Sequence, residues 1–223
     1  MAVTSSEHKK RIWGWYAYDV ASQPFYTLLL TFIFGPYFAA IAAQYFMGQG
    51  LDGEAARAAA QTQWSEALTI IGLLIAFTAP ILGAFADGTG RRMPWIALFS
   101  VFFIVGAAGL WWMVPDGSFI WGTLLFFGIV MIGVEYAYIF TNAMLPSLGN
   151  KEEIGRISGT GFAWGYVGGL IALVLMLFFF AEDAETGTTY LGLDPIFGLD
   201  AAAREGTRAV GPLPAIWFIV GMI

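Results

Sequence analysis

Five apolar stretches, each about as long as a bilayer is thick, constrain this chain more than any other feature. Phe25 to Met47, Ala67 to Ala86, Met93 to Val114, Phe119 to Leu145 and Ile157 to Ala181 all qualify. Each supplies the roughly 20 residues that a helix needs to cross about 30 Å of hydrocarbon. Backbone groups in lipid have no water to bond, so such stretches must close their own hydrogen bonds as helices. A sixth stretch starts near Gly211, runs through Trp217 and Phe218 and stops at Ile223, short of a span. On this reading the chain ends inside a membrane helix and is expected to be the front part of a longer protein.

Composition agrees with an all-α membrane protein. Hydrophobic residues make up 58% of the 223 and charged residues 12%, against about 25% charged in soluble domains. That excludes a water-soluble globule, and a net charge of −6 excludes a nucleic-acid partner, which needs a basic surface. There is no cysteine, hence no disulfide frame, thiol chemistry or Cys-based metal site. The single histidine, His8, lies in the polar N-terminal tail. The tail does not look like a secretory signal, because the stretch after Lys9, Lys10 and Arg11 carries Asp19, Gln23 and Pro24.

Basic residues fix the expected orientation. Lys9, Lys10, Arg11, Arg91, Arg92, Lys151 and Arg156 fall on one side of the spans. Arg57, Arg204 and Arg208 fall on the other, diluted by ten acids. The N-terminus is therefore expected in the cytoplasm. Residues 1–24 form a cytoplasmic tail and the start of helix one, 25–181 carry helices one to five, 182–210 form an extracytoplasmic loop, and 211–223 begin helix six. Trp95, Trp111, Trp112 and Trp121 lie at span ends, where indoles anchor at headgroup level. The 182–210 loop suggests no chemistry of its own.

Polarity enters the apolar rods at two places. Glu135 sits near the middle of the fourth stretch, with Tyr138 and Asn142 following at i+3 and i+7 on the same face. An acid at such depth costs about 2.5–3.5 kcal/mol, so it belongs in a bundle interior or beside a watered cavity. In the first stretch Asp19, Gln23 and Thr27 repeat every four residues, flanked by Tyr16, Ser22 and Tyr26. Pro24 starts or breaks the helix where these cluster. Two carboxylates on separate spans suit a cation or a proton-coupled solute. Structural hydrogen bonding between helices is the alternative for both acids.

Small residues form two stripes: Ser158, Gly161, Gly165, Gly168 and Ala172 in the fifth span, and Gly72, Ala76, Ala79, Gly83 and Ala86 in the second. Such stripes let membrane helices approach closely. The connection between spans two and three reads Gly83-Ala84-Phe85-Ala86-Asp87-Gly88-Thr89-Gly90-Arg91-Arg92. Here Gly83 permits helix approach, Gly88 and Gly90 a tight turn, and Asp87 can meet a helix N-terminus or the arginines.

That connection resembles G-x-x-x-D-x-x-G-R-R, the loop signature of the major facilitator superfamily. Trp15-Tyr16-Ala17-Tyr18-Asp19-Val20-Ala21-Ser22 and Phe25-Tyr26-Thr27 resemble the first-helix signature of its vacuole-effluxer-like branch. Asn142-Ala143-Met144-Leu145-Pro146, Ser158-Gly159-Thr160-Gly161, Gly165-Tyr166-Val167-Gly168-Gly169 and Arg208-Ala209-Val210-Gly211-Pro212 with Trp217 are similar to the same branch. Val20 and Ser22-Gln23 depart from it, where Trp and Asn-Ser are common, and the superfamily's Gly-Pro antiporter turn in helix five is not reproduced.

The resemblance implies the N-terminal six-helix half of a twelve-helix secondary transporter, with the sixth helix cut short and a C-terminal six-helix half as its partner. It further implies alternating access for a small solute, with amino acids as one class, coupled to an ion or proton, in a bacterial inner membrane. Asp19, Gln23, Tyr26, Glu135, Tyr138 and Asn142 become the expected substrate or ion site. Gly83, Asp87, Gly90, Arg91 and Arg92 become a conformational latch, and Gly161, Gly165 and Gly168 a packing face. A non-transporting receptor or scaffold is the alternative. An enzyme is not expected, nor any metal or cofactor: no Ser–His pair exists, and the nucleotide loop G-x-x-x-x-G-K-[ST] is missing. Lipid and a small molecule are the remaining partners.

Overall fold

The computed structural model describes residues 5–222, apart from the side chains of Ser5, Asp87 and Thr89. Among the described residues it contains helices and connections and no strand. Five helical stretches are long and apolar enough to cross a membrane: Ser6–Gly48, Gly53–Ala86, Met93–Trp112, Ile120–Ser147 and Lys151–Phe180. The all-α membrane architecture follows from the apolar runs.

The first rod starts well before its apolar stretch. Helix α1 covers Ser5–Pro24, passes into a π-helical segment at Phe25–Phe32, and resumes as α2 at Phe34–Gly48. Pro24 closes α1 without ending the rod. Its ring cannot supply the amide needed for regular i→i−4 bonding, and the winding loosens into i→i+5 immediately after it. Such π segments inside helices are frequent at functional sites. Asp19, Gln23 and Tyr26 sit at this change of winding.

Helix α3 spans Gly53–Thr89, α4 Met93–Gly109, α5 Ile120–Asn142 and α6 Lys151–Leu175. A short α7, Glu205–Arg208, precedes α8, Pro212–Gly221. Asn150 caps α6: its side chain accepts from the N–H groups of Glu152 and Glu153, and Glu153 returns a carboxylate to the Asn150 amide. The main neighbours are α4 with α5, α1 with α6, α2 with α3, and α8 with both α1 and α4. Gly106 meets the backbone of Val130, and Gly133 that of Phe103, so α4 and α5 touch main chain to main chain.

The core is aromatic. Phe25, Phe34, Phe38, Phe103, Phe127 and Phe140 are almost wholly enclosed, and Phe34 stacks on Phe127 at 5.9 Å. Trp95 stacks on Phe99 at 6.5 Å, which makes it packing as much as anchor, whereas Trp112 and Trp121 are exposed. One small-residue stripe finds its partner: Gly161, Gly165 and Gly168 lie against Asp19 and Val20 of α1. The other does not close on this chain. Beside Gly72 and Gly83 there is open space, so Gly83 allows no close approach among the described residues, although Ala86 is buried. Leu73, Leu74, Phe77, Ile81 and Phe85 leave one side of α3 exposed.

Candidate functional site

The polar positions of the first and fourth spans converge on one cavity. It measures about 350 Å3 and lies between α1, α5 and α6. From the first rod come Asp19, Ser22, Gln23 and Tyr26; α5 adds Glu135 and Tyr138. Helix α6 supplies Phe162, Gly165 and Tyr166. Helical spacing places Asp19, Gln23 and Tyr26 on one face and Glu135 with Tyr138 on another, and the fold turns the two faces toward each other.

Two acids meet this cavity in different ways. The Tyr26 hydroxyl donates to Glu135 Oε1 at 3.0 Å, joining the π segment to α5. Asp19 is only 7% exposed. Among the described residues no hydrogen bond or ion pair reaches its carboxylate, and Oδ2 would lie 2.7 Å from a Cβ added at Gly161. The glycine face of α6 thus lets α1 approach until Asp19 borders the void. A larger residue at Gly161 would also strike the Trp15 ring, and Trp15 holds α1 to the end of α5 by donating Nε1–H to the Thr141 carbonyl at 3.3 Å.

Asn142 is not part of this wall. It closes α5, almost two turns beyond Glu135. Its backbone region belongs instead to the end of the bundle that carries most of the basic residues. There Arg92 donates to the Ala143 carbonyl at 2.7 Å and Arg11 to the Ser147 hydroxyl at 2.8 Å. A second cavity, about 590 Å3, is bordered there by Gly90, Arg91, Arg92 and Ser147. Helix α3 continues through Gly88, so the turn of the glycine-arginine connection is made by Gly90 alone, at φ +63°. The Asp87 side chain, central to the expected latch, lies outside the described residues.

The segment after Ala181 is more organised than its composition suggests. Glu182 has a fully enclosed side chain that pairs with Arg204 Nε at 2.8 Å. It also accepts from the Thr207 hydroxyl at 2.7 Å and the Thr207 amide at 3.1 Å. Arg208 donates to the Trp111 carbonyl at 2.8 Å and lies 4.7 Å from the centre of the Trp111 ring. Charges in a loop whose composition suggests no chemistry are therefore fastenings. Asp183, outside the spans, is held below the usual carboxylate range by the backbone N–H groups of Thr186 and Glu185. A further cavity of about 490 Å3 is bordered by Tyr37, Glu182, Thr189 and Arg204.

Similarity to known proteins points the same way as the architecture. The chain is 25% identical over 164 residues to an uncharacterized MFS-type transporter, YxiO, of Bacillus subtilis (strain 168). That match covers 74% of this chain and 36% of the other. It is 32% identical over 132 residues to an uncharacterized protein of Aquifex aeolicus (strain VF5), covering 57% of this chain and 31% of that one. The matched region spans about a third of the length of these curated relatives. No protein-family model and no solved structure matches the chain.

Proposed function

We propose that this chain works as one helical half of a secondary active transporter of the major facilitator type, in its vacuole-effluxer-like branch. It moves a small solute by alternating access, coupled to a proton or another ion. The observation that carries this reading is the cavity in which Asp19 and Glu135, from two different spans, face the same space beside the π segment. Transporters of this kind place solute and coupling ion near the bilayer midplane, beside interrupted helices. The partial match to an MFS-type transporter supports the same class.

Tyr26 and Tyr138 form hydrogen-bonding walls, and Gln23 offers an amide to the solute. An ammonium group suits these acids, and amino acids, the class implied by the sequence resemblance, share that group with simple amines. The exposed sides of α3 and α6 and the one-third coverage of the relatives support a second helical half closing the cavity from the open side. Arg91 and Arg92, with Asp87 and the Gly90 turn, act as a latch favouring one conformation. Such a latch shifts populations only through contacts that differ between the two states. The basic residues support an N-terminus in the cytoplasm, and a bacterial inner membrane is the proposed location.

The test is solute-dependent proton movement in vesicles holding the purified protein and an internal pH-sensitive dye, offered a panel of amino acids and amines. Flux that requires a proton gradient and disappears in Glu135→Gln supports the reading. Flux unchanged in that variant removes Glu135 from the mechanism. No flux with any solute favours the receptor or scaffold alternative, in which the Tyr26–Glu135 bond is purely structural.

A further inference from the structure

We propose that the cavity between α1, α5 and α6 selects organic cations, namely amines and quaternary ammonium compounds without a carboxylate, over zwitterions. This names the solute class for the site assigned above and rests on that assignment. Three observations carry it: the sign of the charges, the rings around them, and the state of Asp19.

The ionisable side chains bordering the cavity include two acids, Asp19 and Glu135, and among the described residues no Lys, Arg or His borders it. A solute's ammonium therefore has two acids to pair with, whereas its carboxylate would meet only the neutral donors of Ser22, Gln23 and the tyrosines. A zwitterion would carry its own negative charge into a space that already holds two acids, without a cationic side chain among this chain's described residues to meet it. Leaving such a charge unpaired away from bulk water is unfavourable.

The remaining walls suit the same ligand. Tyr26, Tyr138, Phe162 and Tyr166 all border the space. Phe162 and Tyr166 stand one turn apart on α6 with ring centres 4.8 Å apart and planes at 76°, and each is 55% exposed. Their rings stand on the open side, next to the two glycines, Gly161 and Gly165, that dock α6 onto Asp19. Aromatic faces attract cations through the ring quadrupole, and rings gathered around a site are how quaternary ammonium groups are recognised. A cavity of about 350 Å3 lies at the small end for ligand sites, fitting compounds of the size of choline or putrescine.

Asp19 supplies an independent reason to place the ammonium group here. It is 7% exposed, borders the cavity and has no hydrogen-bond or ionic partner among the described residues. Its carboxylate oxygens are not sealed in protein but reach the cavity, where they offer an acceptor that no other side chain occupies. A bound ammonium group pairs with that acceptor. Glu135, already holding the Tyr26 hydroxyl, then remains for the second charge of a diamine or for the coupling proton.

The experiment uses the full chain in lipid nanodiscs and compares matched pairs by calorimetric titration: putrescine against ornithine, and choline against glycine betaine. Each cation is expected to bind at least tenfold more tightly than its carboxylate-bearing counterpart. Asp19→Asn, nearly isosteric, should lower cation affinity at least tenfold. Tyr166→Ala, at an exposed ring, should lower it severalfold with the melting midpoint retained, which keeps the test valid if the first variant folds poorly. Zwitterions that bind as tightly as the cations, with binding lost in Asp19→Asn, would overturn the class while leaving the site in place. Cation binding unaffected by both variants would overturn the proposal outright. Vesicle flux of an amino acid, with neither cation bound, would also defeat it and leave the transporter assignment standing.

Discussion

The bond between Tyr26 and Glu135 gives the most quantitative handle on the proposed site. The hydroxyl lies 3.0 Å from Oε1, good hydrogen-bonding geometry, and links the π segment directly to α5. Side-chain hydrogen bonds inside membrane proteins average about 0.6 kcal/mol and reach about 1.7 in double-mutant cycles. Bonds to charged groups in proteins run to about 1.5–3. A bond on the wall of a small cavity, with its acceptor a carboxyl group, belongs between these ranges, so the coupling energy should be about 1–1.5 kcal/mol. Tyr26→Phe removes only the hydroxyl and should cost about that much in the native background. In a Glu135→Ala background the same change should cost close to nothing, and Glu135→Gln should preserve most of the bond because its amide oxygen still accepts. Reversible unfolding of the reconstituted protein in mixed micelles with increasing SDS measures all four corners of the cycle. A coupling below about 0.3 kcal/mol, within the usual error of additivity, would show that the two side chains do not act on each other and would refute the geometry from which the site is built.

Three further outcomes follow from other parts of the fold. A methyl group at Gly168 would meet Val20 Cγ1 at 2.8 Å and the Val20 carbonyl at 3.0 Å, while Gly159 faces open space. In the same unfolding assay Gly159→Ala should therefore stabilise by up to about 1 kcal/mol through helix propensity. Gly168→Ala should lose that gain and more, since overpacking costs about 1–3 kcal/mol. Glu182→Ala strands Arg204, whose side chain is 23% exposed. It should destabilise by about 2–3 kcal/mol, under the full penalty for breaking a buried pair, and limited proteolysis should then cut within residues 183–204. The Asp183 carboxyl is held below its ordinary value by the Thr186 and Glu185 amides. Its contribution to the turn is thus complete above the unfolded value near 3.9 and disappears as pH falls through the lower folded value. Protection of the Thr186 and Glu185 amides, taken relative to intrinsic exchange at each pH, should fall only in that acid range, and protection already lost above the ordinary carboxylate value would argue against it.

Much of the architecture can be read directly from the residues because the bilayer allows so few solutions. A 20-residue apolar run such as Met93 to Val114 has little choice but to be a helix. The polar stripes were likewise visible, since a 3.6-residue repeat places Asp19 with Gln23 and Glu135 with Tyr138 whatever surrounds them. What periodicity cannot supply is which helices become neighbours. Phe162 and Tyr166 look in the sequence like ordinary lipid-facing aromatics, and only the contact of Gly161 and Gly165 with α1 brings them to the cavity. The sole local signal is that each ring directly follows a glycine of the packing stripe. Asn142 shows the reverse: it shares the face of Glu135 by spacing, but almost two turns of rise carry it past the cavity. Pro24 marks where the first rod changes winding, but the residue alone does not say whether the helix ends there or loosens into π winding. Arg204 and Arg208 were hidden for a different reason. Their burial comes from long-range docking, on Glu182 and on Trp111, and a polar loop composition gives no hint of either. Gly83 illustrates the limit of motif reasoning, because a glycine that permits a close approach does not create the neighbour.

Transport by this site requires the acids of α1 and α5 to border an aqueous space open to solutes. The absence of native cysteine makes its most direct test clean: single cysteines at Gln23 and at Leu125, reacted with a charged, water-soluble thiol reagent in sealed vesicles of both orientations. Gln23 borders the cavity, whereas Leu125 is an exposed apolar residue on α5 that does not. Gln23→Cys should react quickly and Leu125→Cys scarcely at all. Equal inertness at both positions, with the protein folded, would mean that water does not reach Asp19 and Glu135, and the transport reading would be contradicted.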